Sequence, residues 1–509
     1  MNPTVAKKLA NCKRRIARRL DKTDLGDCSQ PMFTARNIHY EIADRVRGIT
    51  HGGIGAIHVL ARQLGLIDAI DERLHVLKIH LPYYDSDHVL NFAYNALCDG
   101  TCIQDMELRR NDAVFLDALG ARRSPDPTTA GDFCRRFTAA NVATLQEVFD
   151  DVRIKVWAQQ PAAFFEQATL DMDGMLVATT GQCKRGMDIA HDGTWGYHAF
   201  VLSLANTREV LRVVNRSGNR PSHEGAAEQV DKALDVCFRG GFRTVLLRGD
   251  TDFSQTEHLD RWNSSGRVTF VFGYDNMPNL RDLADALPAT AWQKLQRPPR
   301  YTVKTKPRQR PDNVKEQIVV AREFDNQKLQ SEDVAEFDYR PTACQAAYRM
   351  VVVRKNISVE KGDKVLFDDI RYFFYLTNDW GPETNEVVFA ANDRCNQENL
   401  LAQLHGGVRA LTAPLDDLLS NWAYMVMTAL AWNLKAWWAL TLPEEPGRWQ
   451  AKHRADKLWV LGIEFKTFIN AFVRQACQIV RTGRKLVYRL LAWNPNQPIF
   501  FRLVSVLRC

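Results

Sequence analysis

The 509-residue chain has no CxxC pair, no internal repeat, no low-complexity tract and no uninterrupted apolar run long enough for a bilayer. Each absence removes a class of protein. The eleven cysteines stand singly and in odd number, which reads as reduced thiols in a cytoplasmic protein, not as a disulfide framework. Cys98 and Cys102 could share a helix face, but no second Cys or His pair follows at finger spacing, so no zinc is assigned. The most apolar stretch, Trp422 to Leu442, carries Asn433 and Lys435 in its middle and is expected to be a buried helix, with no membrane partner. The basic N-terminus lacks an apolar segment of secretory length. What is present, 45% hydrophobic, 25% charged and 10% aromatic residues, is the composition of a folded globular protein of several domains.

Acidic residues are also missing locally, and this redistributes a modest net charge of +7. Residues 1–22 hold eight basic side chains, Arg14 and Arg15 among them, against Asp21 alone. Residues 294–315 hold another eight, including Lys304, Lys306, Arg308 and Arg310, against Asp312. From Phe465 to Cys509 there are eight, including Arg484 and Lys485, and no acidic residue at all. The three islands carry +22 and the remaining chain −15. Basic islands interleaved with Trp292, Tyr301, Tyr488 and Trp493 fit contacts to a phosphate backbone with base stacking; a solvated surface with a mobile tail is the alternative.

The pattern of apolar residues divides the chain. Helical periodicity covers most of the first 160 residues, with segments at Ile57 to Leu77, from Ser86, near Met106 to Leu119, and Ala139 to Gln159. From Ala168 the order becomes strand, hairpin, strand, helix, strand, helix, which predicts a mixed α/β sheet. Between about Arg267 and Thr377 the runs VTFVF, YTVKT, EQIVVAREF, AYRMVVV and RYFFYLT are β-rich, and helices return after Glu386. Trp195, beside the GYHAF strand, reads as a core tryptophan or as a platform for a displaced base.

Three carboxylates sit at the edges of these elements. Asp171 and Asp173 alternate on one strand and so face the same side of the sheet, although Asp173-Gly174 is also a hairpin signal. Asp250 ends the apolar strand TVLLRG, where α/β ligands bind. It is not needed as a helix cap, because Ser254 and Glu257 form a capping box. Glu398 lies in a helix expected from Asp393 to Leu404, with Arg394 and His405 on its stripe; an ordinary i, i+4 ion pair with Arg394 is the alternative. Converging carboxylates of this kind can hold two Mg²⁺ ions, with Mn²⁺ able to substitute, for chemistry at a phosphodiester.

Four segments then resemble a known family: DMELRRNDAVFLDALGARRSPDPTTAGDFCRRF, LDMDGMLVATTGQ, LLRGDTDFS and RCNQENLLAQLHGG. They are similar to the DDE transposases of bacterial insertion sequences, the family called thirteen-eighty, relatives of piggyBac. The resemblance implies an α/β architecture: an RNase H-like catalytic domain interrupted by a β-rich insertion, between helical N- and C-terminal regions. On that reading residues 1–50 form a basic arm and 51–160 a helical DNA-binding or dimerisation region. The catalytic domain occupies 161–266 and 386–445, the insertion 267–385, and a basic DNA-contacting region 446–509. Asp173, Asp250 and Glu398 resemble the catalytic metal-binding triad, with Asp171 as the alternative first aspartate. Arg394 resembles the arginine of the signature Y-x2-R-x3-E-x6-K, whose tyrosine position is Ala391 and whose lysine position is His405 here; both Arg394 and His405 are expected to contact DNA. The implied activity is cleavage of terminal inverted repeats and joining to target DNA by a homodimer in a synaptic complex, in the bacterial cytoplasm at the nucleoid.

Overall fold

The computed structural model describes residues 3–21, 35, 38–40, 46–80, 82–297, 314–361, 364–483 and 485–507. The helix Pro3–Arg19 buries none of its residues. The next segments wrap a single long helix, Leu418–Leu440, which is apolar nearly all round and buried along its length. Around it pack Asp85–Leu97, Pro127–Arg135 and Ala139–Trp157. The expected Ile57–Leu77 helix is two, Ile54–Gln63 and Leu66–Arg73, because Gly65 turns left-handed at φ 71° between them. Asn433 and Lys435 find partners inside the core: Asn433 bonds both the N–H and the carbonyl of Val210, and Lys435 donates to the Leu461 carbonyl. No described helix is long and apolar enough to cross a membrane.

The strands in chain order are β1 (Gly48–Ile49), β2 (Gln167–Ala178), β3 (Asp188–Ile189), β4 (Trp195–Leu204), β5 (Glu209–Ser217), β6 (Thr244–Gly249), β7 (Val268–Tyr274), β8 (Gln293–Lys294), β9 (Asp325–Tyr339), β10 (Tyr348–Lys361), β11 (Lys364–Thr377), β12 (Cys477–Thr482) and β13 (Lys485–Leu490). Ten of them form one sheet in the order β5-β4-β2-β6-β7-β11-β10-β9-β8, with β3 also on β4. Its heart is mixed: β2 runs antiparallel to β4, parallel to β6, and β6 parallel to β7. The long β9–β11 meander extends the same sheet through β11 and β7. A separate sheet β1-β12-β13 ties the start of the described fold to its end.

The run EQIVVAREF, residues 316–324, expected to be β, instead lies mostly in a helix, Val314–Ala321, with no buried residue. A short apolar run carries no period that separates the two states, and β9 begins only at Asp325. Trp195 is half exposed, at 52%, so it is not a core residue. The YTVKT run lies outside the described residues.

Candidate active site

The parallel pairing of β2 and β6 sets two carboxylates side by side. Asp171 is in register with Arg248, so two residues further on Asp173 and Asp250 reach the C-terminal side of adjacent strands. Asp173-Gly174 is not a turn; it lies within β2, opposite Val201 and Phe200 of β4. Asp250 does act as a cap, accepting from the Asp252 N–H at 3.1 Å to start a short turn at Thr251–Phe253. The expected Ser254–Glu257 box does not form; the following helix starts at Thr256 behind Gln255.

The third carboxylate comes from a broken helix. Thr384–Asp393 and Cys395–Ala402 are separate, and Arg394 stands at the junction. Gln397 docks the second piece: it is buried, its Oε1 accepts from Ser203 Oγ at 2.5 Å and its Nε2 donates to the Val201 carbonyl at 3.1 Å. Val201 is the residue paired with Asp173. Gln397 therefore fixes Glu398 relative to Asp173, a positioning role that its plain polar character in the sequence did not signal.

All three carboxylates surround one guanidinium. Arg394 Nη1 donates to Asp173 Oδ2 at 3.1 Å and lies 3.8 Å from Asp250 Oδ2, while Nη2 lies 3.8 Å from Glu398 Oε1. The two longer contacts are charge attraction, not hydrogen bonds. The Asp173 side chain is 15% exposed and Glu398 62%, so the cluster grades from buried to open. Burial pushes Asp173 up to about 6; Arg394 pulls against it, and the neighbouring Asp250 and Glu398 charges add to the rise. Burial likewise raises Asp250, again against Arg394. Asp171 takes no part in this cluster. Arg248 grips it with Nε at 2.7 Å and Nη2 at 2.9 Å, and also donates to the Ala390 carbonyl, which pins the Thr384–Asp393 helix.

The donor set is three carboxylates from separate elements, hard oxygens aimed at one positive centre, and that chemistry suits a divalent cation such as Mg²⁺. Among the described residues no three carboxylate, imidazole or thiolate groups are drawn tightly enough to hold a metal as they stand; the cation between these three is Arg394. A family model described as "Transposase DDE domain group 1" matches residues 47–509. The chain belongs to the DDE transposases. No curated protein matches this transposase. A solved piggyBac transposase, in a synaptic complex with hairpin DNA, is similar at 11% identity and a TM-score of 0.36, over 91% of this chain and 86% of that one. At that score the likeness defines no shared fold.

The other expected contacts of this transposase are spread out. His405 lies in a π-helical turn at Gln403–Gly407, and its Nδ1 bonds the Leu411 carbonyl at 2.8 Å. Arg14 and Arg15 are exposed on Pro3–Arg19, and Lys485 is exposed at the start of β13. Lys304, Lys306, Arg308, Arg310 and Arg484 lie outside the described residues. The C-terminal island carries less available charge than its count: Lys466 and Arg474 both pair with Asp99, Arg481 with Asp117, and Arg502 with Asp456.

Proposed function

We propose that this transposase binds the terminal inverted repeats of a bacterial insertion sequence of the thirteen-eighty family, cleaves the ends and joins the freed 3′-hydroxyls to target DNA. The observation that carries the reading is the convergence of Asp173, Asp250 and Glu398 within 4 Å of one guanidinium. The strand order β5-β4-β2-β6-β7, with β2 central and antiparallel only to β4, supports an RNase H-like core whose last strand, β7, falls in the stretch from residue 267 expected to belong to the insertion. The β9–β11 meander falls between Asp250 and Glu398, as an insertion should.

Asp173, Asp250 and Glu398 would hold two Mg²⁺, which supply activation of water or a 3′-hydroxyl and charge stabilisation at the phosphodiester. The chain's own part is geometric and electrostatic. β2 and β6 hold two carboxylates rigidly, Gln397 sets the third, and Arg394 offsets their mutual repulsion until phosphate and cation arrive. A guanidinium at that point also presents a fork suited to a phosphate oxygen pair. The exposed cations of residues 3–19 and of β13 supply non-specific attraction to the duplex. A homodimer holding two ends in one synaptic complex, in the bacterial cytoplasm, completes the proposal.

A second reading is a catalytically silent DNA-binding protein descended from a transposase. Ala391 in place of tyrosine and His405 turned to the Leu411 carbonyl favour it. Incubating purified protein with labelled element ends and Mg²⁺ separates the two. Nicked or joined products support the transposase; a shifted band without any product supports the silent binder and overturns the proposal.

A further inference from the structure

The β9, β10 and β11 strands are 15, 14 and 14 residues long, past the usual limit of about 10, and only their near halves are covered. On one face Val351 and Val353 are buried in a cluster with Val387 and Val388 of the Thr384–Asp393 helix. Further along the same face the cover stops. Val353 stands opposite Phe373, Ile357 opposite both Leu329 and Asp369, and Val359 opposite Phe367, so alternation sets all of these on one side of the ribbon. Phe367 is 59% exposed, Leu329 54% and Phe373 41%.

The charges set among these side chains are paired. Lys355, 4.6 Å over the Phe373 ring, shares Glu332 with Arg297, Arg371 pairs with Asp369, and Lys328 with Glu360 at the margin. None of these cations is left for a phosphate backbone, so the strip calls for an apolar partner.

The helix Val314–Ala321 offers one. It ends three residues before β9 and buries none of its residues. Val314 and Ile318 stand one turn apart on it, both exposed. Eight residues are too few to hold a helix in water without packing. β9 starts opposite Lys361, at the turn between β10 and β11, so helix and strip share the far end of the ribbon. One end of the chain thus carries an uncovered apolar sheet and an uncovered apolar helix. A second copy covers both at once, each helix on the other's strip, about a twofold axis that closes the pair.

We propose that the far end of the β9–β11 meander joins two copies of this chain, the Val314–Ala321 helix of each lying on the Leu329, Ile357, Phe367 and Phe373 strip of the other. The contact gives the homodimer of the proposed function its surface, and rests on that reading for its purpose.

Sedimentation equilibrium of the full chain, free of DNA and in EDTA, tests the contact. The wild-type chain should be dimeric at micromolar concentration. Ile318→Asp and Phe367→Lys should each weaken dimerisation ten-fold or more, because a reciprocal contact is broken twice by one change. Both side chains are exposed, so circular dichroism should show an unchanged fold. An equimolar mixture of the two variants should dimerise ten-fold more tightly than either alone, since it restores one native contact and adds one between Asp and Lys. A monomeric wild-type chain, a variant that dimerises as well as the parent, or a mixture no tighter than its components would overturn the proposal. Cleavage of labelled ends by the same wild-type preparation is scored separately, so a failed contact leaves the transposase reading standing and failed cleavage leaves the contact standing.

Discussion

Arg394 donates to Asp173 at 3.1 Å across 221 residues of chain, and that bond is the centre of the carboxylate cluster. Removing the guanidinium leaves three like charges facing one another around a partly buried point. Arg394→Ala should therefore lower the melting temperature in EDTA, by the equivalent of about 1–3 kcal/mol for one lost charged hydrogen bond and an uncompensated buried acid. Added Mg²⁺ should restore more stability to this variant than to the wild-type chain, because cation and guanidinium compete for the same oxygens. Equal Mg²⁺-induced shifts in the two proteins would show that Arg394 does not stand where the ion binds.

Charge removal at the three carboxylates should separate cleavage from binding. Asp173→Asn, Asp250→Asn and Glu398→Gln are each expected to reduce end cleavage by at least about 10³-fold, since all catalysis is assigned to cations that these oxygens hold. Affinity for the ends should stay within a few fold, because the basic islands lie elsewhere. Wild-type cleavage by any one of the three would remove that residue from the site.

Asp171 is expected to behave differently from Asp173 although it lies two residues away on the same face of β2. Its carboxylate is buried and held by Arg248 through two hydrogen bonds. Asp171→Asn should cost about 3–5 kcal/mol in urea unfolding, because it leaves a buried guanidinium without its counter-ion. Replacing the pair together, Asp171→Leu with Arg248→Met, should cost less than the single change. A single variant as stable as the parent would restore Asp171 as a candidate ligand.

What could be read in the sequence and what could not divide along physical lines. Asp250 stood out as a carboxylate ending an apolar strand, whereas Asp173, Glu398 and Arg394 were singled out only by the family resemblance, because by residue type alone a turn at Asp173-Gly174 and an ordinary ion pair between Arg394 and Glu398 served as well. The β2, β4, β5 and β6 strands were legible because their alternating or continuous apolar runs have one plausible burial. Long-range pairing was not legible. Nothing local distinguishes Asp171, bound for Arg248, from Asp173, bound for Arg394. Gln397 reads as a surface residue until the helix docks on Val201 and Ser203. Charge counts overstated the C-terminal island, because Asp99 and Asp117 lie hundreds of residues from the arginines and lysine they neutralise.

His88 supplies a pH signature of the helical region. It is buried and stacked on Phe133 at 4.2 Å, and burial brings its pKa down from 6.5 to about 4. The unfolded chain binds this proton below pH 6.5 and the folded chain does not until about pH 4. The stability it contributes is therefore whole above pH 6.5 and is lost as pH falls toward 4, by about 3 kcal/mol through linkage. Burial raises Asp85 and Asp87, which act in the opposite sense, so the comparison must be between variants. His88→Phe should narrow its stability gap to the wild type, or reverse it, between pH 6.5 and 4. Parallel stability curves for the two proteins would exclude His88 as the source.

The N-terminal arm tests whether the charge partition has the meaning given to it. Residues 1–22 carry eight cations, and the helix Pro3–Arg19 buries none of its residues, so deletion should leave the fold intact by circular dichroism. Each phosphate neutralised contributes about −0.9 to the slope of log K against log salt on duplex DNA. If most of the arm's cations lie along the backbone, its loss should flatten that slope by roughly 4–6 units. Affinity should fall steeply at low salt and far less at high salt, and it should fall equally for terminal-repeat and random duplexes, because phosphate contacts carry no sequence information. The slope is the decisive quantity. A weaker complex with an unchanged slope would mean that the arm contributes contacts other than phosphate, and an unchanged complex would place the +7 of residues 1–22 in solvent, leaving attraction for the duplex to the other two basic islands.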